Sequence, residues 1–448
     1  MKLIIRNGHI WAGNPAAEKI CDLLIEDDHI AAIGDVPPIT DADVIDASDK
    51  LVLPALVDPH AHFIGGDNAG YYMLAAAGVA TALDPIIGRR ENAVEYIRAT
   101  PVGLNIGWLY LIKPGSTVSC PSPKREEFAA VIEQAVNTGA MGVKIAGAHF
   151  PLTPDATAMA IEVAAEKHVP LMLHAGTTAE RDDFAGMREA VSLSNGNPFI
   201  LAHINAYCNG NTCGSQCAEA VEALQLLRDN PRIVSESTLS DLSCMGTRMI
   251  NGIPESLCMI DVLENLGFPG TYAGMLDAVA SGKLMVSGPA GKEFRFYDPS
   301  AGLARCREHN GAVTVGFKRH DMVKNAIVAS GRRNDESFVV NAFSTDGGVI
   351  PRNVVLDKGL AMVNAGFFTM TEFVAKSATA GAKLLGLEHR KGFLAVGADA
   401  DIVIANPATR HAEVTISNGK IIYRNGEFFP TENKIFSLDK EKLPDWLN

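Results

Sequence analysis

The sequence predicts an α/β protein built on a (β/α)8 barrel, the TIM-barrel architecture, with a small β-sandwich domain formed from both termini. The middle of the chain alternates short, uninterrupted apolar runs with helical stretches and offers eight strand candidates. Uninterrupted apolar runs are typical of parallel strands that are buried on both faces. Both ends of the chain instead carry short segments of period-two alternation separated by turn residues. The count of eight favours a closed barrel over an open, doubly wound sheet.

Both ends of the chain show the same pattern of short, alternating strands separated by turns. LIIRNGHIWAG, CDLLIEDDHIAAIGD and DVIDAS lie near the start, and GADADIVIANP and AEVTISNGKIIYRNGEFF lie near the end. The Asn-Gly pairs at 7–8, 418–419 and 425–426 predict tight turns between strands. We therefore expect residues 1–53 and 393–448 to form one composite β domain and residues 54–392 to form the barrel.

The barrel strands can be placed from the apolar runs, which are LVLPALVDPH, GVATALDP, VGLNIGWLYL, GVKIAG, VPLMLHAG, PFILAHI, RIVSES and SFVVNAFSTDG. Between them, REEFAAVIEQAVNTG reads as a helix that ends at Gly139. TPDATAMAIEVAAEKH reads as a helix with Thr153 as its N-cap and Pro154 in the first turn. The interval from about 240 to 335 is too long for one connection, so an insertion over the barrel mouth is expected.

Composition narrows the range of partners. The chain has 448 residues, 47% of them hydrophobic and 20% charged, with a net charge of −13 at pH 7. That charge offers no basic footprint for nucleic acid. No apolar run approaches the ~18 residues of a membrane span, and the apolar start of the chain is too short for a signal peptide. We expect a cytoplasmic protein with neither a membrane nor a nucleic-acid partner.

Eight cysteines in so long a chain do not resemble a disulfide framework. Cys208, Cys213 and Cys217 cluster in CNGNTCGSQC. This spacing lacks the C-x2-C pairs of most zinc sites, so reduced cysteines in a Gly/Asn-rich loop are expected, with a thiolate metal site as the alternative.

Polar residues stand at the ends of five predicted strands, where a barrel gathers its chemistry. They are His60, His62, Lys144, His174, His203 and Asp346. His60 and His62 are two residues apart, so a strand would point both imidazoles the same way. Each residue alone has an ordinary explanation, such as a capped histidine or an Asp-Gly turn. Six of them sharing one end of the barrel predict a metal site.

The segment LPALVDPHAHF, followed in order by Lys144, His174, His203 and Asp346, resembles the amidohydrolase superfamily. NGHI and GADADIVI look like that superfamily's composite β domain. The resemblance covers nearly the whole chain, the 240–335 region excepted. Ala55 departs from the glycine usual after this proline. The lysine in GVK resembles the binuclear branch that includes dihydroorotases, hydantoinases, isoaspartyl dipeptidases and urease, and later segments loosely resemble D-aminoacylases.

The resemblance implies a ligand set and a reaction. His60, His62 and Asp346 would hold one divalent ion and His174 and His203 the other. Lys144, carboxylated by CO2, would bridge the two. Imidazole and carboxylate ligands suit zinc best, with manganese and iron left open. A hydroxide held between two ions, its water pKa lowered from about 15.7 towards 7, would attack an amide carbonyl. Asp346 would act as general base and then as general acid.

Further roles carry over with less support. Dihydropyrimidinase-like members have a tyrosine five residues beyond the lysine. His149 stands there in this chain, so His149 or Tyr207 is the expected donor to the oxyanion. Arg248, in the insertion, is a candidate partner for a substrate carboxylate. The expected small-molecule substrate is a cyclic amide, such as a hydantoin, dihydroorotate or lactam, or an N-acyl amino acid. A homo-oligomer is expected because relatives are often dimers or tetramers.

Three other interpretations stay open at this point. A mononuclear, nucleobase-type aminohydrolase (a deaminase) would share His-x-His and the aspartate, but such relatives lack the bridging lysine. An esterase or lactonase would use the same hydroxide. A non-catalytic scaffold on the same fold would be expected to lose metal ligands, whereas this sequence retains all of them.

Overall fold

The computed structural model describes residues 1–13, 18–64, 68–87, 93–439 and 442–447. A β domain, a parallel barrel and an inserted subdomain can be distinguished by their sheets. No helix in these five ranges combines the length and the apolar character that a membrane span needs.

The first five strands each bury part of their length, and the fifth is buried throughout. They are β1 (Lys2–Trp11), β2 (Glu18–Glu26), β3 (His29–Gly34), β4 (Asp43–Asp46) and β5 (Leu51–Pro54). β1 pairs with β2 antiparallel and with β4 and β5 parallel.

The chain then enters the barrel, where strands and helices alternate. In order these are β6 (Leu56–Asp58), β7 (Ala61–His62), α1 (Ala69–Ala76), β8 (Val79–Ile87), α2 (Ala93–Ala99), β9 (Asn105–Ile112), α3 (Arg125–Asn137), β10 (Gly142–Ile145), α4 (Pro154–Glu166), β11 (Leu171–Leu173), α5 (Phe184–Leu193), β12 (Phe199–Leu201), α6 (Gln216–Asp229) and β13 (Ile233–Ser237). The predicted caps are confirmed: α3 ends before Gly139, and the Thr153 side chain accepts the Ala156 N–H at the start of α4.

An insertion follows β13 before the last barrel strand. It contains β14 (Leu242–Gly246), β15 (Met249–Ile250), β16 (Ile253–Pro254), α7 (Leu257–Asn265), α8 (Tyr272–Ala280), β17 (Met285–Ala290), β18 (Glu293–Phe296), α9 (Pro299–Glu308), β19 (Thr314–Lys318) and α10 (Met322–Ser330). Four strands form an antiparallel sheet in the order β14-β19-β17-β18, with its own apolar cluster around Met259, Met275 and Val315. β14 is an edge strand of this sheet.

The remainder completes the barrel and the β domain. It contains β20 (Ala342–Phe343), β21 (Gly347–Gly348), α11 (Val355–Asn364), α12 (Met370–Val374), a π-helical turn (Ala375–Thr379), α13 (Ala380–Leu384), β22 (Ile402–Ala405), β23 (Ala412–Ser417), β24 (Lys420–Arg424), β25 (Glu427–Phe428) and β26 (Lys434–Ile435). The eight barrel strands are parallel, in the order β20-β13-β12-β11-β10-β9-β8-β6. Thus the predicted barrel is confirmed.

The composite sheet joins both termini, in the order β25-β24-β23-β22-β5-β1-β2-β3, because β22 pairs antiparallel with β5. β26 instead pairs with barrel strand β9. The Phe436 ring packs so closely on Gly107 of β9 that a Cβ at position 107 would lie 2.4 Å from it. The division into 1–53 plus 393–448 and 54–392 stays a prediction.

Two local expectations were wrong. Asn7-Gly8 is not a turn, since β1 runs through it with a bulge: Asn7 has φ +58°, and a Cβ on Gly8 would lie 2.5 Å from Val52 Cγ2. A side-chain bond from Asn7 to Asp46 holds this bulge in place. Also, His60 and His62 are not on one strand. β6 ends at Asp58, and His60 lies in the bend before β7.

Candidate metal centre

One cavity of about 370 Å³ lies at the carboxyl ends of the barrel strands and is lined by all six side chains that the strand ends predicted, namely His60, His62, Lys144, His174, His203 and Asp346. Two loops meet to bring the first and last strands together there. Asp346 N–H donates to the His60 carbonyl, and β7 pairs with β21. His174, His203 and Asp346 lie just beyond the ends of barrel strands, whereas Lys144 is on β10 and His62 on β7.

Asp58 fixes this junction from below. Its carboxylate accepts the His60 N–H at 3.1 Å and the Thr345 hydroxyl at 2.6 Å. Burial raises the pKa of Asp58 to about 7. His203 and Asp346 have φ values of +33° and +44°, which are uncommon for residues with a Cβ. Backbone strain of this kind persists where the surrounding contacts over-determine a functional position.

The first ligand group is His60, His62 and Asp346. One ligand atom from each lies within 4.8 Å of the others. His62 Nε2 is 2.9 Å and His60 Nε2 is 3.5 Å from Asp346 Oδ1. These separations are close to the ~3.3 Å between two ligands on a tetrahedral zinc with bonds of about 2.0–2.1 Å. The donor set therefore fits a divalent ion.

The second ligand pair is His174 and His203, on neighbouring strands β11 and β12. His174 Nδ1 and His203 Nε2 face each other at 3.0 Å, and their rings are nearly perpendicular. Burial lowers the pKa of His203 well below its ordinary value, so its imidazole is neutral, as a metal ligand must be. This pair fits a second ion.

Lys144 lines the cavity together with both groups and is the unusual member. Its side chain is 2% exposed, and its Nζ has no hydrogen-bond partner among the described residues. Burial lowers the pKa of Lys144 to about 8. An unpaired buried ammonium is costly. A neutral amine is the form that reacts with CO2, and the resulting carbamate would supply an anionic ligand where an ammonium repels cations.

Carboxylates behind the imidazoles orient them. His60 Nδ1 lies 2.7 Å from Glu236 Oε1, an oxygen that also accepts the His203 backbone N–H at 2.7 Å. Glu236 is fully buried. On the other side, His174 Nε2 lies 3.2 Å from Asp182 Oδ1, close enough for an ion pair but without the geometry of a hydrogen bond. A carboxylate on the far ring nitrogen fixes the tautomer and turns the free nitrogen towards a metal.

Two arginines hold the carboxylates of the site. Arg352, 2% exposed, pairs with Asp346 Oδ2, and its Nη1 donates to the Leu242 carbonyl at 3.3 Å. That pairing helps to hold the pKa of Asp346 well below its usual range, against the opposing effect of burial. Arg319 pairs with Asp182 at 3.1 Å and also donates to Asn209 at 2.9 Å, so its guanidinium is engaged although it lines the cavity.

Of the three other predicted site residues, one lines the metal-ligand cavity and two do not. His149 lines the cavity, and its Nδ1 is 2.8 Å from the Ser256 hydroxyl. Burial lowers the pKa of His149 to about 3. Tyr207 is buried behind the ligands, and its hydroxyl accepts the Ala175 N–H at 3.0 Å. Arg248 does not line the cavity; its side chain is 71% exposed and 3.7 Å from Glu255.

The eight cysteines are unpaired. Within the described residues, the Cys208/Cys213/Cys217 cluster does not form a group with metal-ligand spacing, whereas Cys258 lies near His149 and His174. Burial raises the pKa of the Cys258 thiol well above its ordinary value. Cys258 is therefore a neutral, buried thiol in this structure.

Comparison with known proteins agrees with this geometry. Residues 257–438 match the family described as the Amidohydrolase family. Dihydropyrimidinase 2 of Caenorhabditis elegans is 24% identical over 495 residues, covering 95% of this chain and 86% of that protein. The resemblance to the amidohydrolase superfamily that the sequence indicates is thereby confirmed. The prediction of an enzyme, a hydrolase acting on carbon–nitrogen bonds other than peptide bonds, is thereby confirmed at the level of the family.

Two solved structures share the fold of this chain over almost its whole length. Dihydropyrimidinase from Brevibacillus agri has a TM-score of 0.66 at 16% identity, covering 98% of this chain and 100% of that one. N-acyl-D-glutamate deacylase from Bordetella bronchiseptica, complexed with zinc and a phosphonate inhibitor, has a TM-score of 0.67 at 15% identity, covering 97% and 99%. At such identities the likeness establishes the fold, a barrel with an added β domain.

Glu236, Asp182 and Arg352 were not predicted as site residues. Glu236 could have been found, because it is a charged residue at the end of the apolar run RIVSES, the same signal that revealed Lys144. Asp182 and Arg319 lie 137 residues apart in loops that carry no periodic pattern. Only their pairing in space gives them a role.

Proposed function

We propose that this amidohydrolase is a binuclear metal enzyme that hydrolyses the carbon–nitrogen bond of a small amide, either a cyclic amide or an N-acyl amino acid. The observation that carries the proposal is Lys144, a buried amine that has no hydrogen-bond partner among the described residues and lines the cavity with four imidazoles and a carboxylate. Carboxylated Lys144 would be shared by two ions. His60, His62 and Asp346 would hold one ion, and His174 and His203 the other, most readily zinc.

When bound, the two ions would supply a hydroxide at neutral pH and polarise the amide carbonyl. The chain's own residues would do the rest. Arg352 keeps the Asp346 carboxylate ionised, so Asp346 can accept the proton of the attacking water. Because its pKa is low, Asp346 would hold that proton only briefly and pass it to the leaving nitrogen.

His149 is proposed as the additional donor to the developing oxyanion. Its neutral imidazole can donate from Nε2 when the Ser256 hydroxyl donates to Nδ1. Tyr207 stays a prediction in this role, and so does Arg248 as a substrate contact, since its guanidinium lies outside the cavity lining. A cytoplasmic, homo-oligomeric enzyme likewise stays a prediction.

The first experiment is metal content per chain by elemental analysis, on protein purified with bicarbonate. The variant is Lys144→Ala, and the matched control is Lys19→Ala, an exposed lysine on β2. We expect about two equivalents in wild type and in the control and a sharp fall in Lys144→Ala. The same preparations would be assayed with hydantoin, dihydroorotate, lactams and N-acyl amino acids.

One equivalent that the Lys144 variant does not change would remove Lys144 from the site and favour the mononuclear deaminase interpretation. Two equivalents without hydrolysis of any amide would refute the proposed reaction while leaving the metal centre in place. An activity confined to esters or lactones would move the function to that alternative.

A further inference from the structure

The inserted sheet presents an open strand edge to the metal cavity. Residues 243–246 of β14 line the cavity together with Thr314 of β19. β14 pairs with β19 on one side, and no strand of the described chain pairs with its other side. An edge strand exposes backbone N–H and C=O groups that are ready to pair with another extended chain.

The hydrogen bonds identify which β14 residues face the cavity. Thr247 N–H donates to Val313 O, and Arg319 N–H donates to Asp241 O, at the two ends of the pairing. In an antiparallel pair, alternate residues bond to the partner strand. Ser243 and Met245 therefore bond to β19, while Leu242, Cys244 and Gly246 direct their backbone groups away from it.

The inner end of this edge is already occupied. The Leu242 carbonyl accepts from Arg352, which pairs with Asp346, and the Leu242 N–H donates to the Ser240 hydroxyl at 3.0 Å. This contact places Leu242 next to the metal centre and independently supports the assignment of the edge. Cys244 and Gly246 continue outwards, since Cys244 is buried and Gly246 is exposed.

The outer residue has space around it. A Cβ built on Gly246 meets nothing within 4 Å, and its φ lies outside the left-handed region. Cys244 and Gly246 are about 7 Å apart along the strand, the spacing of two residues that face the same way. A single amide ring could bond to Cys244 but would not reach Gly246.

We propose that the open edge of β14, at Cys244 and Gly246, binds the backbone of an extended, N-acylated peptide by β-strand pairing, next to the metal centre. The proposal rests on the proposed function and selects, within it, linear N-acyl substrates of at least two residues. Recognition by strand addition gives affinity through main-chain bonds. Phe63, Ile64 and Ile350 line the same cavity and would contact apolar side chains of the peptide.

The test compares two neutral substrates of the metal-loaded protein, N-acetylleucinamide and N-acetylleucylleucinamide, each in both configurations. The longer amide has a second peptide unit that can pair with Gly246 as well as with Cys244. We expect its kcat/KM to be about tenfold higher, the effect of one or two hydrogen bonds of ordinary net strength. Gly246→Pro removes the outer N–H and should bring the ratio of the two kcat/KM values close to one. Gly246→Ala keeps the N–H and should retain the ratio.

Proline is tolerated on an edge strand whose N–H faces away from its neighbour, so Gly246→Pro should fold. If it does not, an ester in place of the second amide tests the wild-type protein, since it removes the ligand's own N–H and should lose the length advantage. A ratio near one in wild type, or one that the proline variant retains, would overturn the proposal. Faster hydrolysis of hydantoin, without any length effect, would instead favour a ring as the occupant.

Failure of the proposed function gives a different result. If no amide is hydrolysed, calorimetric binding of the same two amides tests the edge by itself. A tenfold preference for the longer amide that disappears in Gly246→Pro would support the edge although the proposed reaction is wrong. Equal binding of both would refute the edge.

Discussion

Replacing Glu236 by glutamine should weaken metal binding without unfolding the protein. Glu236 is fully buried and accepts three hydrogen bonds, from the His60 ring, the His203 backbone and the Ser344 hydroxyl. Glutamine keeps one accepting oxygen but removes the charge. The Ser344 hydroxyl can rotate to accept from the new amide.

The magnitude follows from the two bonds on Oε1. A hydrogen bond to a charged group contributes about 1.5–3 kcal/mol, against about 0.5–1.5 for a neutral one. The bond from the His203 backbone is made with and without a metal, so only the loss at the His60 ring, about 1.4–2 kcal/mol, lowers the affinity, roughly 10- to 30-fold. This agrees with the 10- to 100-fold typical of partners that orient metal ligands.

The assay is titration of metal-free protein with Zn²⁺ against a chromophoric chelator. Glu222→Gln, an exposed glutamate on α6, is the matched control and should bind as wild type does. Thermal melting of the metal-free proteins would establish that both variants fold. A Glu236→Gln protein that folds and binds Zn²⁺ within twofold of wild type would refute the orienting role.

Three further outcomes are expected. Lys144→Met removes a buried amine whose Nζ has no hydrogen-bond partner among the described residues, so the metal-free variant should melt above wild type at neutral pH; a lower melting temperature would mean that attraction from Glu236 and Asp346 outweighs the cost of burying the charge. Asp182→Asn should lower the affinity for a metal ion at His174 by about 10-fold or more, and it leaves Arg319 without its charge partner. Unchanged Zn²⁺ stoichiometry and affinity would contradict this prediction. Lys376 is fully buried, and burial lowers its pKa to about 7. The unfolded chain then binds more protons between about pH 7 and 10, so the free energy of unfolding of wild type relative to Lys376→Met should rise by about 2 kcal/mol from pH 7 to 9; a flat or falling difference in urea melts would reject it.

The sequence alone determined the barrel and the members of the cavity. The eight apolar runs became eight parallel strands, and the residues at their ends met in one cavity, since parallel strands place their carboxyl ends at one face. Local chemistry also set the caps of α3 and α4. Such features depend on residues a few positions apart and on a topological rule that holds for all barrels.

Only the tertiary structure decided what surrounds these residues. His60 and Glu236 are 176 residues apart, and no periodic pattern relates them. Tyr207 stands near His203 in sequence, but packing turns its hydroxyl to the Ala175 backbone. The open edge of β14 follows from strand order in the insertion, and in the described part of the chain no side chain reaches Lys144 Nζ with a hydrogen bond. Hydrogen-bond partners depend on rotamers and on distant segments meeting, which short-range sequence patterns do not specify.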